Sequence, residues 1–494
     1  LKALKIDKSH RHIYHMTMFR QTYLSNPHWW FSASDEDDAH ITREFSHLLA
    51  EATHEDLLNM ILIYDQLPRH IFRNTPSSHM ISWYLQRALD LCLRLTPAYL
   101  ETLTTQEWCF AFLPYRHTND PRYIIEVAKL AWEKITTLTT TDDIAILRRF
   151  LKALYERCPT KDQSAFIVDY PPPKTKRKCL QCIYGDHKNI LDTYENTHAN
   201  PPPPIKINLP HAPIILSLSG GVDSMVCSYI LAKQNTTFQA VHINYGNRDT
   251  ADAEEAFVRD WCVYLDVPLH VRRITEIKRG PCMKHNMREI YETYTRKVRL
   301  GTYDTISQAS IIILGHNKDD CLENIMTNIA GRTHFDNLTG MSHEKFYRPL
   351  LHVSKADIKA FAAHYGVPHL PNSTPTWSQR GQIRASIVPV LDAWNPLFVP
   401  GMHHLGTTLA QYHQLARHLA QIFITQLSMD LVVNNTCFWR AVFDRLTPTH
   451  HPSLKSIDNL ITTVNTKTPP YTVVISKHLT MNVDKAGHIT LSLK

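Results

Sequence analysis

The chain lacks the features that would place it in a membrane or outside a cell. No apolar run among its 494 residues approaches the ~20 needed to span a bilayer, so no membrane partner is expected. No secretory signal stands at the front, although the chain opens on Leu1 rather than Met and its true start stays open. The ten cysteines are dispersed and build no small disulfide framework, so a reduced, cytoplasmic compartment is expected. Charge of one sign is missing too. A net charge of +7, from 53 Lys and Arg against 46 Asp and Glu, tolerates RNA without pointing to it. No fixed-period repeat recurs. Against these absences, 43% hydrophobic residues and nine Trp suit packed cores, and the length suits two or three domains.

One stretch organises the rest: Pro-Ile-Ile-Leu-Ser-Leu-Ser-Gly-Gly-Val-Asp-Ser, residues 213–224. Ile214, Ile215 and Leu216 read as a buried strand, and the residues after Asp223 as a helix. Gly220 and Gly221 permit backbone angles and close approach that a side chain would block. Free N–H groups at a helix start, with the Ser219 and Ser224 hydroxyls beside them, make a seat for phosphate. Ser219, Gly220, Gly221, Val222, Asp223 and Ser224 are therefore the expected phosphate contacts. A bland strand-to-helix loop is the alternative. The missing Gly-Lys-Ser/Thr ending excludes a Walker loop.

Residues 1–168 read as all-α, with apolar residues at helical spacing over 41–49, 54–67, 79–95 and 121–138. Within them Asp65, Arg69, Arg73 and His117 form either a polar pocket or a buried ion pair that fixes packing. Proline runs at 171–173 and 201–204 mark residues 169–210 as a linker, with a basic cluster at Lys174, Lys176, Arg177 and Lys178. Inside it, Cys179-Leu-Gln-Cys182 offers half of a tetrahedral Zn²⁺ site, with His187 as third ligand and His198 as fourth. The alternative is two reduced thiols in a tether.

Residues 211–395 alternate strand and helix: strands over 214–218, 239–244, 269–274 and 311–315, helices over 224–233, 251–265, 283–304 and 322–329. That pattern implies an α/β domain with a parallel sheet, binding ligands at the carboxyl ends of its strands. Residues 396–494 read as a small α+β region, helical from 405 to 427 and closed by a hairpin over 471–493.

Further motifs stand at those strand ends. The second strand ends in Val241-His242-Ile243-Asn244. The fourth is followed by Gly315-His316-Asn317-Lys318-Asp319-Asp320-Cys321-Leu322-Glu323-Asn324. Gly315 would let a nucleotide come close. Asp320 and Glu323, three apart on a helix, share a side and suit Mg²⁺ or an amine. Helix capping accounts for one of these acids. Glu292, Arg296 and Arg299 line one face of the preceding helix. Gly331-Arg332, Gly340-Met341, Arg348-Pro-Leu-Leu, Asn372-Ser-Thr-Pro375 and Arg380-Gly-Gln-Ile-Arg384 follow.

The loop resembles that of the N-type (PP-loop) ATP pyrophosphatases, whose domain is adenine nucleotide alpha hydrolase-like. The whole motif set resembles the tRNA(Ile)-lysidine synthetase family. Tyr-Asp-Gln-Leu-Pro-Arg-His over 64–70 and Pro114-Tyr-Arg-His117 are similar to domain-of-unknown-function family 924, tetratricopeptide-like, over roughly 18–160. The departures are the inverted Gly331-Arg332, Leu300 in place of Tyr, and Asn372 and Gly381 in the last motif.

The resemblance implies that ATP adenylates the C2 oxygen of a tRNA cytidine and that lysine then displaces AMP. Asp223 and Asp320 would hold Mg²⁺. Asp223, Asp320, Glu323 and Arg296 would act in catalysis, and Glu323 would take the incoming ammonium or its proton. His242, Asn244, Gly315 and His316 would line the ATP site, and Arg299, Arg348, Arg380 and Arg384 would contact tRNA or phosphate. Three rival readings stay open. One is a tRNA thiolase with a sulfur donor, for which Cys179, Cys182 and Cys321 speak. The others are a small-molecule amidotransferase, and a binding module with a degenerate ATP site. The helical half would deliver substrate, make a homodimer, meet an unknown partner or hold its own site.

Overall fold

The computed structural model describes residues 8–51, 56–172, 178–192, 202–209, 212–308, 310–333, 338, 341, 346–371, 378–447, 452–477 and 479–493. The cluster at 174–177, His198, Gly340 and residues 372–375 lie outside them. The chain forms two units, residues 1–178 with 239–309, and residues 179–238 with 310–494. No helix among the described residues is long and apolar enough to cross a membrane.

In the first unit, helices run from α1 (Lys8–Leu24) to α12 (Thr141–Arg157). Their ends are written in the sequence. Ser34 and Asp37 form a capping box at the start of α3 (Asp35–Phe45), and Thr104 and Glu107 form another at α9 (Thr105–Ala111). Helix α5 (Leu57–Asp65) is apolar nearly all round and is accordingly buried from Leu58 to Asp65. The core that α5 shares with Phe19, Tyr23, Phe110 and Leu151 does not stop at the helical region. It continues through Ile274, Ile277, Cys282, Met287, Tyr291, Tyr294 and Val298.

Strand β1 (Ile167–Tyr170) pairs antiparallel with β4 (Leu269–Arg273), Ile167 opposite Arg272. Strand β3 (Gln239–Asn244) pairs parallel with β4, Ala240 beside Leu269. Asp169 and Tyr170, expected at the head of a linker, are thus edge-strand residues, and the expected parallel sheet has an antiparallel edge. Beneath this joint, Arg272 and Glu276 form a fully buried ion pair. The Arg272 Nε donates to Gln163 Oε1 at 3.0 Å, and the Tyr294 hydroxyl donates to Glu276 Oε1 at 3.1 Å. Such a pair is tolerated because its remaining polar atoms are satisfied. The single helix expected over 283–304 is two: α16 (Arg279–Lys284) and α17 (Arg288–Ile306). Asn286, at φ +58°, makes the break, in a conformation Asn tolerates better than most residues.

In the second unit, β2 (Ile214–Ser217) pairs parallel with β5 (Ile311–Ile313), and β5 pairs parallel with β6 (Phe346–Tyr347). Helices α13 (Leu180–His187), α14 (Val222–Lys233), α18 (Lys318–Ala330) and α19 (Lys355–Tyr365) belong to this unit. Further on, α22 (Phe398–Gln426), α23 (Thr436–Leu446) and α24 (Leu454–Thr466) share a core with a three-stranded antiparallel meander. Its strands are β7 (Tyr471–Ser476), β8 (Leu479–Val483) and β9 (Ile489–Leu493). The expected hairpin is therefore a meander, its inward residues Val473, Ile475, Met481 and Ile489 covering Phe423 and Trp439.

Candidate functional site

Parallel pairing puts the carboxyl ends of β2, β5 and β6 at one edge of the second unit. Each end feeds a motif. After β2 the chain turns through Gly220, at φ +83°, whose carbonyl accepts the Leu370 N–H at 2.9 Å. The two serines brace the turn: their hydroxyl oxygens lie 3.1 Å apart, and Ser224 Oγ donates to the Gly221 carbonyl at 3.0 Å. Helix α14 begins after Gly221 with no side-chain cap. Its leading N–H groups are thereby left for an anionic ligand or water.

Asp223, in the first turn of α14, ties this loop to the other two strand ends. Its Oδ1 accepts from Asn317 Nδ2 at 2.9 Å and its Oδ2 from Lys355 Nζ at 2.6 Å. Gly315, in the chain leaving β5, explains how the segments come so close. A Cβ there would lie 2.9 Å from the Ser224 N and 3.2 Å from the Asp223 Cβ. The space that a side chain at 315 would fill belongs to the loop's own backbone.

Asp320 closes a capping box on α18. Asn317 Oδ1 accepts the Asp320 N–H, and Asp320 Oδ2 accepts the Asn317 N–H, both at 3.0 Å. One turn on, Glu323 is buried. Its Oε1 accepts from Arg384 Nε at 2.8 Å and Nη2 at 2.6 Å, while its Oε2 has no partner. Burial pushes the Glu323 acid above its ordinary value, against the opposing pull of Arg384. Arg380 is exposed and stands four residues before Arg384. Arg348 donates through Nε to His316 Nδ1 at 3.1 Å and also bonds the Met341 carbonyl.

The other expected residues lie in the first unit. Asn244 is buried at the end of β3, donating to Glu255 Oε2 at 3.0 Å and accepting the Gly246 N–H at 2.9 Å. His242 is buried on the same strand. Arg296 is exposed and Arg299 half-buried on α17. Asp65 does meet Arg69 (3.1 Å) and His117 (2.8 Å), but Arg73 pairs instead with Asp38.

Lys355 and Asn317 were not singled out by sequence reasoning. Ser354-Lys-Ala-Asp357 carries the capping signature of a helix start after a strand, and Ser354 does accept the Asp357 N–H at 3.1 Å. That pattern could have drawn attention to the lysine.

The zinc expectation finds no support. Among the described residues no group of three or more His, Cys, Asp or Glu is placed to hold a metal. Cys179 instead caps α13, accepting the Cys182 N–H at 3.2 Å, and both thiols are exposed. Cys321 is buried, its thiol pushed up to about 11 by desolvation. All ten cysteines are free. Asp223 and Asp320 have the carboxylate chemistry that Mg²⁺ takes beside a substrate's phosphates, with Asp223 also accepting from Asn317 and Lys355 and Asp320 from the Asn317 N–H.

Residues 191–391 match the PP-loop domain family, and residues 15–159 match a family described as a bacterial protein of unknown function (DUF924). The tRNA(Ile)-lysidine synthase of Staphylococcus aureus (strain MRSA252) is 26% identical over 229 residues, covering 43% of this chain and 52% of that protein. That of Pseudomonas fluorescens (strain Pf0-1) is 28% identical over 228 residues, covering 43% and 50%. The chain spans about half the length of the curated relatives it matches. Among solved structures, a U34-tRNA thiolase from Methanococcus maripaludis covers 47% of this chain and 80% of its own at 17% identity. Its TM-score of 0.33 gives that likeness no weight.

Proposed function

We propose, for a chain that carries a DUF924 domain ahead of a PP-loop domain, that the protein modifies tRNA at the expense of ATP by lysidine-synthase-type chemistry. The cytidine C2 oxygen attacks the α-phosphorus of ATP, and the bond to the β-phosphate oxygen breaks to release pyrophosphate. The lysine ε-nitrogen then attacks C2. The C2–oxygen bond breaks, AMP leaves with the electron pair, and the ammonium gives up a proton.

The observation that carries this reading is the tie from Asp223 to Asn317 and Lys355, which joins the loop to the Gly-His-x-x-Asp-Asp-x-x-Glu stretch in one site. Residues 219–224 suit the departing pyrophosphate, with the open start of α14 offering N–H groups. Lys355 is a cation beside them that would meet phosphate charge as it develops. Asp223 and Asp320 are the residues that would hold Mg²⁺, which supplies neutralisation of the phosphates when bound. Glu323 keeps one bare carboxylate oxygen, suited to receive an ammonium or its proton. Arg348, Arg380 and Arg384 are assigned to phosphate or tRNA, as are Arg296 and Arg299. His242, Asn244, Gly315 and His316 remain the proposed ATP neighbours. For Asn244 and Gly315 that role competes with the hydrogen bonding and close packing described above.

The test is mass spectrometry of nucleosides from tRNA incubated with the protein, ATP, Mg²⁺ and lysine. A lysine adduct on cytidine, with AMP formed mole for mole, is the expected result. Sulfur gained in place of lysine would replace this reading with thiolation. AMP formed without tRNA would point to a small-molecule substrate, and no AMP at all to a degenerate site.

A further inference from the structure

The first unit holds a groove of about 610 Å³ between α12 and α17, far along the chain from the loop motif. Its rim is basic: Arg148, Arg149 and Lys152 come from α12 and Lys297 from α17, against the two acids Glu156 and Glu289. Arg149, Lys152 and Lys297 are exposed, and Arg148 is half-buried. Its floor is aromatic and rigid. The Trp132 indole donates to the Tyr155 hydroxyl at 2.8 Å, which in turn donates to the Glu276 carbonyl at 2.7 Å. Tyr294, the other floor ring, is held by Glu276 Oε1. We propose that this groove binds the phosphate backbone of the tRNA, so that α12 of the DUF924 region and α17 together form an RNA-docking element. The inference rests on the tRNA reading above and adds to it a surface apart from the strand-end motifs of the second unit.

Three observations favour a polyanion. The cations stand on a rim open to water, where a single phosphate would be poorly desolvated but a charged polymer gains by releasing counterions. Lys297 neighbours Arg296 on α17, so the groove's charge continues into the arginine motif expected to meet phosphate or RNA. The positive field also extends past the groove's end: after burial, Lys284 and Arg148 are what lower the His285 pKa. Opposition is weak, because the Lys152–Glu156 pair along α12, at 3.7 Å, is more than half exposed on both sides and contributes little.

The experiment compares full-length protein with the R148A/R149A/K152A/K297A variant, using fluorescence anisotropy of labelled tRNA over a series of salt concentrations. Each phosphate contact contributes roughly 0.7–0.9 to the slope of log affinity against log salt. The variant is expected to bind tRNA about tenfold or more weakly near physiological salt, with a slope shallower by up to about three. Its KM for tRNA should rise while kcat at saturating tRNA holds. Glu156→Gln, an exposed change that removes an opposing charge, should tighten binding, and it gives an independent reading should the fourfold variant fold poorly. Wild-type protein that binds tRNA, with a folded variant that binds it equally well and with the same slope, would overturn the groove and leave the enzymatic reading standing. Wild-type protein that binds no tRNA would overturn both.

Discussion

Replacing Glu323 by Gln separates the two chemical steps, and the structure sets what to expect. Glu323 is 2% exposed, with Oε1 holding both Arg384 contacts and Oε2 bare. A glutamine can keep Oε1 toward Arg384 and place its amide where Oε2 stood. The fold loses the charge in that hydrogen bond, a difference of about 1 kcal/mol, reduced because the Arg384 side chain is a third exposed. An amide is also less costly to bury than a carboxylate. The variant should therefore fold, with Tm moved by a few degrees at most, at about 2–4 °C per kcal/mol.

Catalysis should separate. Adenylation needs no base at 323, so tRNA-dependent exchange between ATP and pyrophosphate should persist. Lysine transfer should fall by about 10²–10⁴, the usual contribution of a positioned base. The wild-type transfer rate should drop as acid protonates Glu323, with its limb above the ordinary carboxylate value of 4.5 because burial raises this acid. The variant should lack that limb. The sign for stability runs the other way: a raised folded pKa means the buried charge costs stability above it, and the cost fades as pH falls toward 4.5. A variant that transfers lysine at the wild-type rate, or loses exchange in parallel with transfer, would refute the assignment.

Lys355→Ala should cut ATP–pyrophosphate exchange by about 10² or more, a typical loss for a preorganised charge, while a chain that exchanges normally would remove Lys355 from the site. Gly301→Ala should destabilise by about 3 kcal/mol or more, because a Cβ would lie 1.6 Å from the Thr160 carbonyl oxygen. An exposed helical glycine would instead gain up to ~1 kcal/mol, so the direction of the Tm change decides. For Asp65, burial raises the acid but His117 and Arg69 outweigh it and hold it below its ordinary 3.8. Its stabilising charge is present above pH ~4 and lost as pH falls below, so Asp65→Asn should flatten acid unfolding in that range. Finally, residues 205–494 expressed alone should be insoluble or partly unfolded, since they keep Ile274, Ile277, Tyr291 and Tyr294 but lose the helices that cover them. A soluble, cooperatively melting fragment would contradict this.

The site's parts were legible because each is local. Gly220 at a turn, a serine on either side of it, and carboxylates spaced three apart on a helix declare their geometry within a few residues. Asn317 and Lys355 were harder to see, since each earns its place only by meeting Asp223, 94 and 132 residues away. The zinc reading went unsupported for a related reason. A Cys-x-x-Cys pair is half a site, and its other half must come from elsewhere in the chain.

Fold class and boundaries divide along the same line. Periodicity placed β3 at 239–244 to the residue, because side-chain alternation and apolar runs are properties of neighbours in sequence. It missed the break at Asn286 and the strand at 167–170, the one turning on a single residue's backbone conformation and the other on a distant partner strand. By itself the sequence determined an ATP-type loop behind a helical domain, since those signals are short-range. Only the tertiary structure decided that the helical core runs on into residues 274–298, that Gly301 must have no side chain, and that four cations line one groove. Those depend on which atoms share a volume, and burial and charge act through space rather than along the chain.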